Sequence, residues 1–311
     1  MLKNSHTLVI CSRGRSNSLS NVITSILDCR ESKNVHILVV LNGHSPSELN
    51  NLIKQYKDLE DQILIIESKP GLAAARNVAL ANISGDIVTF LDDDVLLPGN
   101  YLTEVDSAFS CDEKLDGLSP RIAGLYTGTN LRTKWFRKRR IKYGQLTRNG
   151  DNFWVPDVYS ATNTSVDWLP GCSMSYRVSS LKDMKFSEEL MLGPTGGYSL
   201  GEDVDFSIRL SKLISLNSTS IQHVQAESVR DNNHVMSKAR GRWKAYLVRK
   251  YPTKVNAITC TTSLIFPIVY FGLRRFINKN QYLNPFNESK MQMASFIQEL
   301  LNPTLVCKSS E

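Results

Sequence analysis

The sequence predicts an α/β protein: a mostly parallel sheet flanked by helices, followed by a C-terminal helical extension. Two observations carry that expectation. Over the first hundred residues, short β-branched apolar runs alternate with stretches of helical period, the pattern of right-handed βαβ crossovers. The apolar runs stop at clusters of turn-forming or charged residues, Ser12-Arg13-Gly14-Arg15, Asn42-Gly43 and Asp92-Asp93-Asp94. Ligands of such sheets bind beyond the carboxyl ends of the strands, so function is expected at these clusters.

The elements follow in order. "HTLVICS" (6–12) reads as a strand and "NSLSNVITSILDC" (17–29) as an amphipathic helix. "VHILVVLNG" (35–43) has no polar alternation and reads as a fully buried strand. "SPSELNNLIKQYKDL" (45–59) is a helix capped by Ser45 or Ser47, "QILIIES" (62–68) a strand, and "GLAAARNVALANI" (71–83) a helix. The strand 87–91 then runs into the aspartates. Residues 126–168 lack periodicity and are expected to form a long excursion. Order returns at "VDWLPGCSMSYRVSSL" (166–181) and at "GEDVDFSIRLSKL" (201–213), a helix beginning near Glu202. The expected organisation is one domain over 1–234, with halves 1–125 and 126–234, then a helical extension over 235–311.

Composition narrows the function classes. The chain has 311 residues, 41% hydrophobic and 22% charged, ordinary for a soluble globular protein. Its six cysteines are scattered without a CxxC pair, which argues for a reduced, cytosolic chain without structural zinc. The first residues enter a strand almost at once, so no secretory leader is expected. A formal charge of +7 favours anionic partners. Basic residues are interleaved with aromatics in "RTKWFRKRRIK" (132–142) and "KARGRWKAYLVRK" (238–250), a pattern that suits a membrane surface. No helix-turn-helix, RNA-recognition or zinc-finger signature accompanies them, so nucleic acid is not an expected partner. The absence of GxGxxG and GxxxxGK[ST] argues against a dinucleotide fold and a P-loop kinase.

Three adjacent carboxylates at the mouth of a buried strand repel one another and resist desolvation. Alone, such a cluster is a solvated strand end. Beside an anion-binding site it suits a hard divalent cation, Mg²⁺ or Mn²⁺.

Four segments carry a family resemblance: "VICSRGRS" (9–16), "GLAAARNVALANISGDIVTFLDDDVLLP" (71–98), "WLPGCSMSYR" (168–177) and "GEDVDFSIRL" (201–210). In order and spacing they resemble glycosyltransferase family 2, the inverting nucleotide-sugar transferases of the Rossmann-like GT-A fold, over roughly residues 5–250. The last two segments resemble those of bacterial transferases that build cell-surface polysaccharides, rhamnosyltransferase-like enzymes among them. The resemblance implies that Asp94 is the direct ligand of Mn²⁺ or Mg²⁺. Asp92 assists through ribose or metal-bound water, and Asp93 is a lesser donor-side residue. It places Ser12, Arg13 and Arg15 by the nucleotide, Gly71 in the turn before a helix, and Arg76 and Asn77 by the donor's phosphates and ribose. Asp203 becomes the general base, with Glu202 binding the acceptor or supporting the site, and Gly171 and Cys172 form the acceptor-side wall.

Two departures matter. Relatives often carry an acidic residue where this chain has Leu41, so UDP-, dTDP- and GDP-linked donors all stay open, with Asn42 available to a pyrimidine edge. The late metal-binding histidine of many relatives aligns with Gln225. His223, two residues earlier and on the same strand face, is available after a small register shift, with a structural histidine as the alternative. His234 is a weaker candidate.

Residues 255–273 are uncharged and flanked by Lys254 and Arg274. The length approaches a membrane span, but Asn256, Pro267 and the hydroxyl residues favour packing or an interfacial position. The expected enzyme is thus a metal-dependent inverting transferase working on a glycan or glycolipid acceptor, cytoplasmic and peripheral at the inner face of the cell membrane. The alternatives are a sugar nucleotidyltransferase, whose usual Gly-rich loop with a following lysine "CSRGRSNS" does not match, and a non-catalytic nucleotide-sugar-binding protein.

Overall fold

The computed structural model describes residues 2–13, 16–43, 45–123, 144–152, 162–192, 198–224 and 233–303. Arg15, Gln225, the basic run 132–142 and much of the 126–168 excursion lie outside the described residues. The chain divides into two compact units, one of residues 1–145 and 154–226, the other of residues 146–153 and 227–311.

The strands of the first unit are β1 (His6–Ser12), β2 (Val35–Asn42), β3 (Ile63–Ser68), β4 (Ile87–Asp92), β5 (Val95–Leu96), β6 (Gly117–Ala123), β7 (Thr164–Val166), β8 (Ser173–Arg177), β9 (Met191–Leu192), β10 (Tyr198–Ser199) and β11 (Leu213–His223). Nine of them share one sheet in the order β3-β2-β1-β4-β8-β6-β11-β5, with β7 also on β11, while β9 and β10 pair separately. The first four are parallel, as the alternating sequence predicts. β8 runs antiparallel between β4 and β6. β2, the run without polar alternation, is buried except at His36, and β1 beside it is buried along its whole length.

The helices are α1 (Ser16–Leu27), α2 (Pro46–Gln55), α3 (Leu72–Leu80), α4 (Tyr101–Cys111), α5 (Val178–Leu181) and α6 (Glu202–Ser207). In α1, Leu19, Val22, Ile23 and Ile26 form the buried stripe of a 3.6-residue period. Ser45, not Ser47, caps α2: its hydroxyl accepts from the Glu48 N–H, and the Glu48 carboxylate accepts from the Ser45 N–H, a capping box. The helix expected over 201–213 lasts only six residues. The N–H groups of Ser211 and Lys212 both donate to Asp116 Oδ2 at 2.9 Å, and Leu213 already belongs to β11. Hydrogen bonds to a distant aspartate thus win over continued helical period.

The second unit holds α7 (Asn233–Lys250), α8 (Ala257–Arg274) and α9 (Lys279–Leu301). Gly241 explains how α7 and α9 meet: a Cβ there would fall 2.2 Å from the Gln292 carbonyl oxygen. The basic-aromatic run 238–250 is not the surface patch its sequence suggests. Trp243 and Tyr246 are buried and stacked on each other. Lys244 pairs with Asp151 at 2.8 Å, and Arg242 and Arg249 both pair with buried Glu299.

Candidate active site

One guanidinium organises the carboxyl end of the sheet. Arg76 Nη1 donates to Glu202 Oε1 at 3.0 Å, and Nη2 donates to the Gly171 carbonyl at 2.8 Å and lies 3.4 Å from Asp92 Oδ1. Three chain segments remote in sequence are thereby joined. The local sequence makes this possible. Gly71, at φ 133°, starts α3, and its N–H donates to Asn42 Oδ1 at 2.7 Å. Ala73, Ala74, Ala75 and Ala79 are all buried, small enough to hold the helix close to the sheet, and Arg76 is left only 2% exposed. Burial opposes its charge, but Glu202 and Asp92 more than offset this and hold the group above its ordinary value. The ring of Phe186 lies 5.4 Å from its Cζ.

The three aspartates have separate surroundings. Asp93 is buried, and Ser12 Oγ donates to its Oδ2 at 2.7 Å, so both residues, expected to face the donor, hold the end of β1 against the end of β4. Asp92 has 26% of its side chain open. Burial, together with the charges of Asp94, Asp93 and Glu202, raises its pKa to about 7 against the opposing pull of Arg76. Asp94 lies beside His223, with Nε2 3.5 Å from Oδ1. β5 explains that meeting: Val95 pairs with His223 and Leu96 with Gln222, and the Val224 N–H donates to the Asp94 carbonyl at 2.8 Å. One ligand atom from each of Asp92, Asp94 and His223 lies within 4.8 Å of the others. Two carboxylates and an imidazole suit a divalent ion such as Mn²⁺, so the residues present fit the group.

Asp203 joins the same cluster through Gly171. Its Oδ2 accepts from the Gly171 N–H at 2.9 Å and its Oδ1 from the Val204 N–H at 2.8 Å. Burial and then the Glu202 charge raise its pKa to about 6, with Arg76 and these two hydrogen bonds opposing. Glu202 is buried and committed to Arg76, which makes it a support. Gly171 is tightly packed: a Cβ would lie 3.1 Å from Arg76 Nη2 and 3.3 Å from Asp203 Oδ2, so a side chain would press both groups aside. Cys172 is buried, burial pushes its thiol well above the ordinary value, and its carbonyl accepts from the Asp92 N–H at 3.1 Å.

Other expected contacts fall differently. Asn77, read as a donor contact, spends its amide on the 186–188 segment: Nδ2 donates to the Phe186 carbonyl and to Glu188, and Oδ1 accepts from the Phe186 N–H. Arg76, read as a phosphate contact, is occupied by acidic and carbonyl partners of the chain itself. The Asn42 carbonyl, read as reaching a base, is spent on Gly71. Arg13 is exposed at the end of β1, and His234 is exposed on α7 in the other unit. Phe186 and Glu188, which fix Arg76 and Asn77, carry no signal in "MKFSEEL".

A family model for glycosyl transferase family 2 matches residues 7–167, just over half of the chain. The chain belongs to glycosyltransferase family 2. Among curated proteins, it is 26% identical over 205 residues to a pre-mycofactocin glycosyltransferase of Mycobacterium tuberculosis, covering 66% of this chain and 38% of that protein. The chain thus spans well under half the length of that relative. Among solved structures, Staphylococcus aureus TarS 1–349 in complex with UDP-GlcNAc is similar at a TM-score of 0.57 and 15% identity, over 95% of this chain and 81% of that one. The mannosyltransferase PcManGT from Pyrobaculum calidifontis, in complex with GDP-Man and Mn²⁺, gives 0.56 and 12%, over 97% and 88%. These likenesses establish the GT-A fold with C-terminal helices.

Proposed function

We propose that this family 2 member transfers a sugar, with inversion, from a nucleotide-sugar donor to a hydroxyl of a lipid-linked glycan in cell-surface polysaccharide synthesis. The acceptor is presented at the inner face of the cell membrane. The observation that carries the reading is that Arg76 and Gly171 join two sets of acidic groups at one end of the sheet: Asp92, with Asp94 and His223, and Asp203.

The roles follow from the chemistry. A divalent cation held by Asp92, Asp94 and His223 would neutralise charge on the donor diphosphate. Asp203 accepts the acceptor hydroxyl's proton as its oxygen bonds to the anomeric carbon. The bond from that carbon to the diphosphate breaks, and the leaving nucleoside diphosphate keeps the electron pair. A carboxylate with a pKa near 6 is ionised at pH 7 yet more basic than a free one, which suits a general base. Arg76 holds Glu202, Gly171 and Asp92 in one register and so sets the distance between base and donor. A sugar nucleotidyltransferase would instead need a phosphate loop at residues 11–18, where Ser12 is committed to Asp93.

The test is calorimetry with UDP, dTDP and GDP, with and without Mn²⁺ or Mg²⁺. One nucleotide should bind in a metal-dependent way, and Asp94→Ala should lose that dependence while keeping its far-ultraviolet circular dichroism. Metal-dependent binding unchanged in Asp94→Ala would overturn the reading.

A further inference from the structure

α8 is a helix with two unlike faces. Cys260 and Leu264 are buried, and Gly272 meets the ring of Phe286 in α9, where a Cβ would lie 3.2 Å from the ring. On the other side Ile258, Phe266, Val269 and Leu273 recur at helical spacing, all exposed, and the stripe runs on past the helix end to Phe276 and Ile277. Ile258 is 73% and Phe276 79% exposed. Isolated exposed apolar residues are ordinary, but the run from Phe266 to Ile277, with Ile258 beyond the intervening Thr262, gathers enough on one face to mark a contact surface. Cations bracket it: Lys254 precedes the helix, and Arg274 and Arg275 end it, the latter two lying over Tyr270 and Phe286.

We propose that this stripe is an interfacial docking surface for an anionic lipid bilayer, with α8 lying in the headgroup boundary. The inference rests on the functional reading above only for the place of the acceptor, not for the chemistry. α8 is the one helix among the described residues long and apolar enough to cross a membrane, yet it packs lengthwise on α9. A span would carry Glu288 and Lys290 of α9 toward the hydrocarbon, where charged groups are strongly disfavoured. An interfacial position buries the apolar stripe and leaves α9 and the bracketing cations in water and among headgroups.

The experiment is flotation of the full chain with vesicles of phosphatidylcholine alone or with one third phosphatidylglycerol, at low and at 0.5 M salt. The protein should float with the anionic vesicles, with at least about tenfold weaker partitioning to neutral ones and partial release by salt. Leu273→Glu with Phe276→Glu should abolish flotation. Arg274→Gln with Arg275→Gln, which keeps the stripe, should weaken it severalfold. Unfolding of the variants is followed by circular dichroism, and metal-dependent nucleotide binding is measured on the same samples. Retained nucleotide binding with lost flotation supports the surface. Flotation indifferent to both variants, insertion resistant to alkaline carbonate, or a stable dimer that binds no vesicle would each overturn it. Loss of nucleotide binding in the wild type would instead count against the functional reading and leave the flotation result standing.

Discussion

Both units bury charge, but they close their accounts differently. In the second unit, the Glu299 carboxylate accepts from Arg242 Nε at 3.3 Å and from Arg249 Nη2 at 3.2 Å, two cations around one anion. In the first, Arg76 stands among Glu202, Asp92, Asp203 and Asp94, one buried cation among several carboxylates. Two of those carboxylates are pushed up to about 7 and about 6, by burial first and by neighbouring negative charge after it. The Glu299 arrangement is complete and holds helices together. Among the described residues the Arg76 arrangement has fewer cations than carboxylates, and perturbed carboxylates of this kind cluster at functional sites.

If that contrast is right, substitutions in the two clusters should separate activity from stability. The largest effect is expected at Asp203. Asp203→Asn keeps shape and hydrogen bonds but cannot take the proton, so turnover should fall at least roughly a hundredfold with nucleotide affinity nearly unchanged. Steady-state kinetics beside calorimetry checks this, and near-normal turnover would move the base to Glu202. For the wild type, Asp203 must be ionised, so turnover should rise with pH through about 6 and then level off.

Glu299→Ala should do the reverse. Removing the carboxylate takes one partner from each of two guanidinium groups, and denaturant unfolding should show a loss of about 1–3 kcal/mol. The figure stays below that for a fully buried pair because Arg242 and Arg249 keep 29% and 19% of their side chains exposed. Metal-dependent nucleotide binding should survive; its loss would erase the distinction between the clusters.

The smallest effect sharpens the comparison most. Asp92 has a folded pKa raised from 3.8 to about 7, so the folded state retains a proton that the unfolded state releases between those values. Its stabilising share is fully present below about pH 4 and is lost as pH rises through about 7. Metal-free Asp92→Asn should therefore melt roughly 2–4 °C above the wild type at pH 8 and show no such gain at pH 4. Scanning calorimetry in a chelating buffer reads this, and a lower melting point at pH 8 would contradict that imbalance of charge.

The parallel half of the fold and the aspartate cluster were legible because local period and strand ends encode them. Asp203 and Gly171 were legible only through family resemblance. What escaped depends on partners far along the chain. Arg76 stands out in "AARN", but its partner Glu202 is 126 residues away, and Asn77 meets Phe186 across 109. The run 238–250 reads as surface because a basic helix hides its partners, and only Asp151 and Glu299 turn Lys244, Arg242 and Arg249 to structural use. His223 is an intermediate case: strand period gives its face, and the two residue pairs of β5 set it beside Asp94.

That short strand has a dynamic consequence. β5 forms the sheet's edge and holds the end of β11 through only two residue pairs and the hydrogen bond from Val224 to Asp94. Edges with so few backbone bonds open first in native-state hydrogen exchange. An opening there would part His223 from Asp94 while leaving Arg76 on Asp92, so the three residues would be together only in the closed form. A ligand that binds only the closed form would damp the opening by mass action. The amide of Val224 would then exchange more slowly as the site fills, a fraying edge turned into a gauge of occupancy.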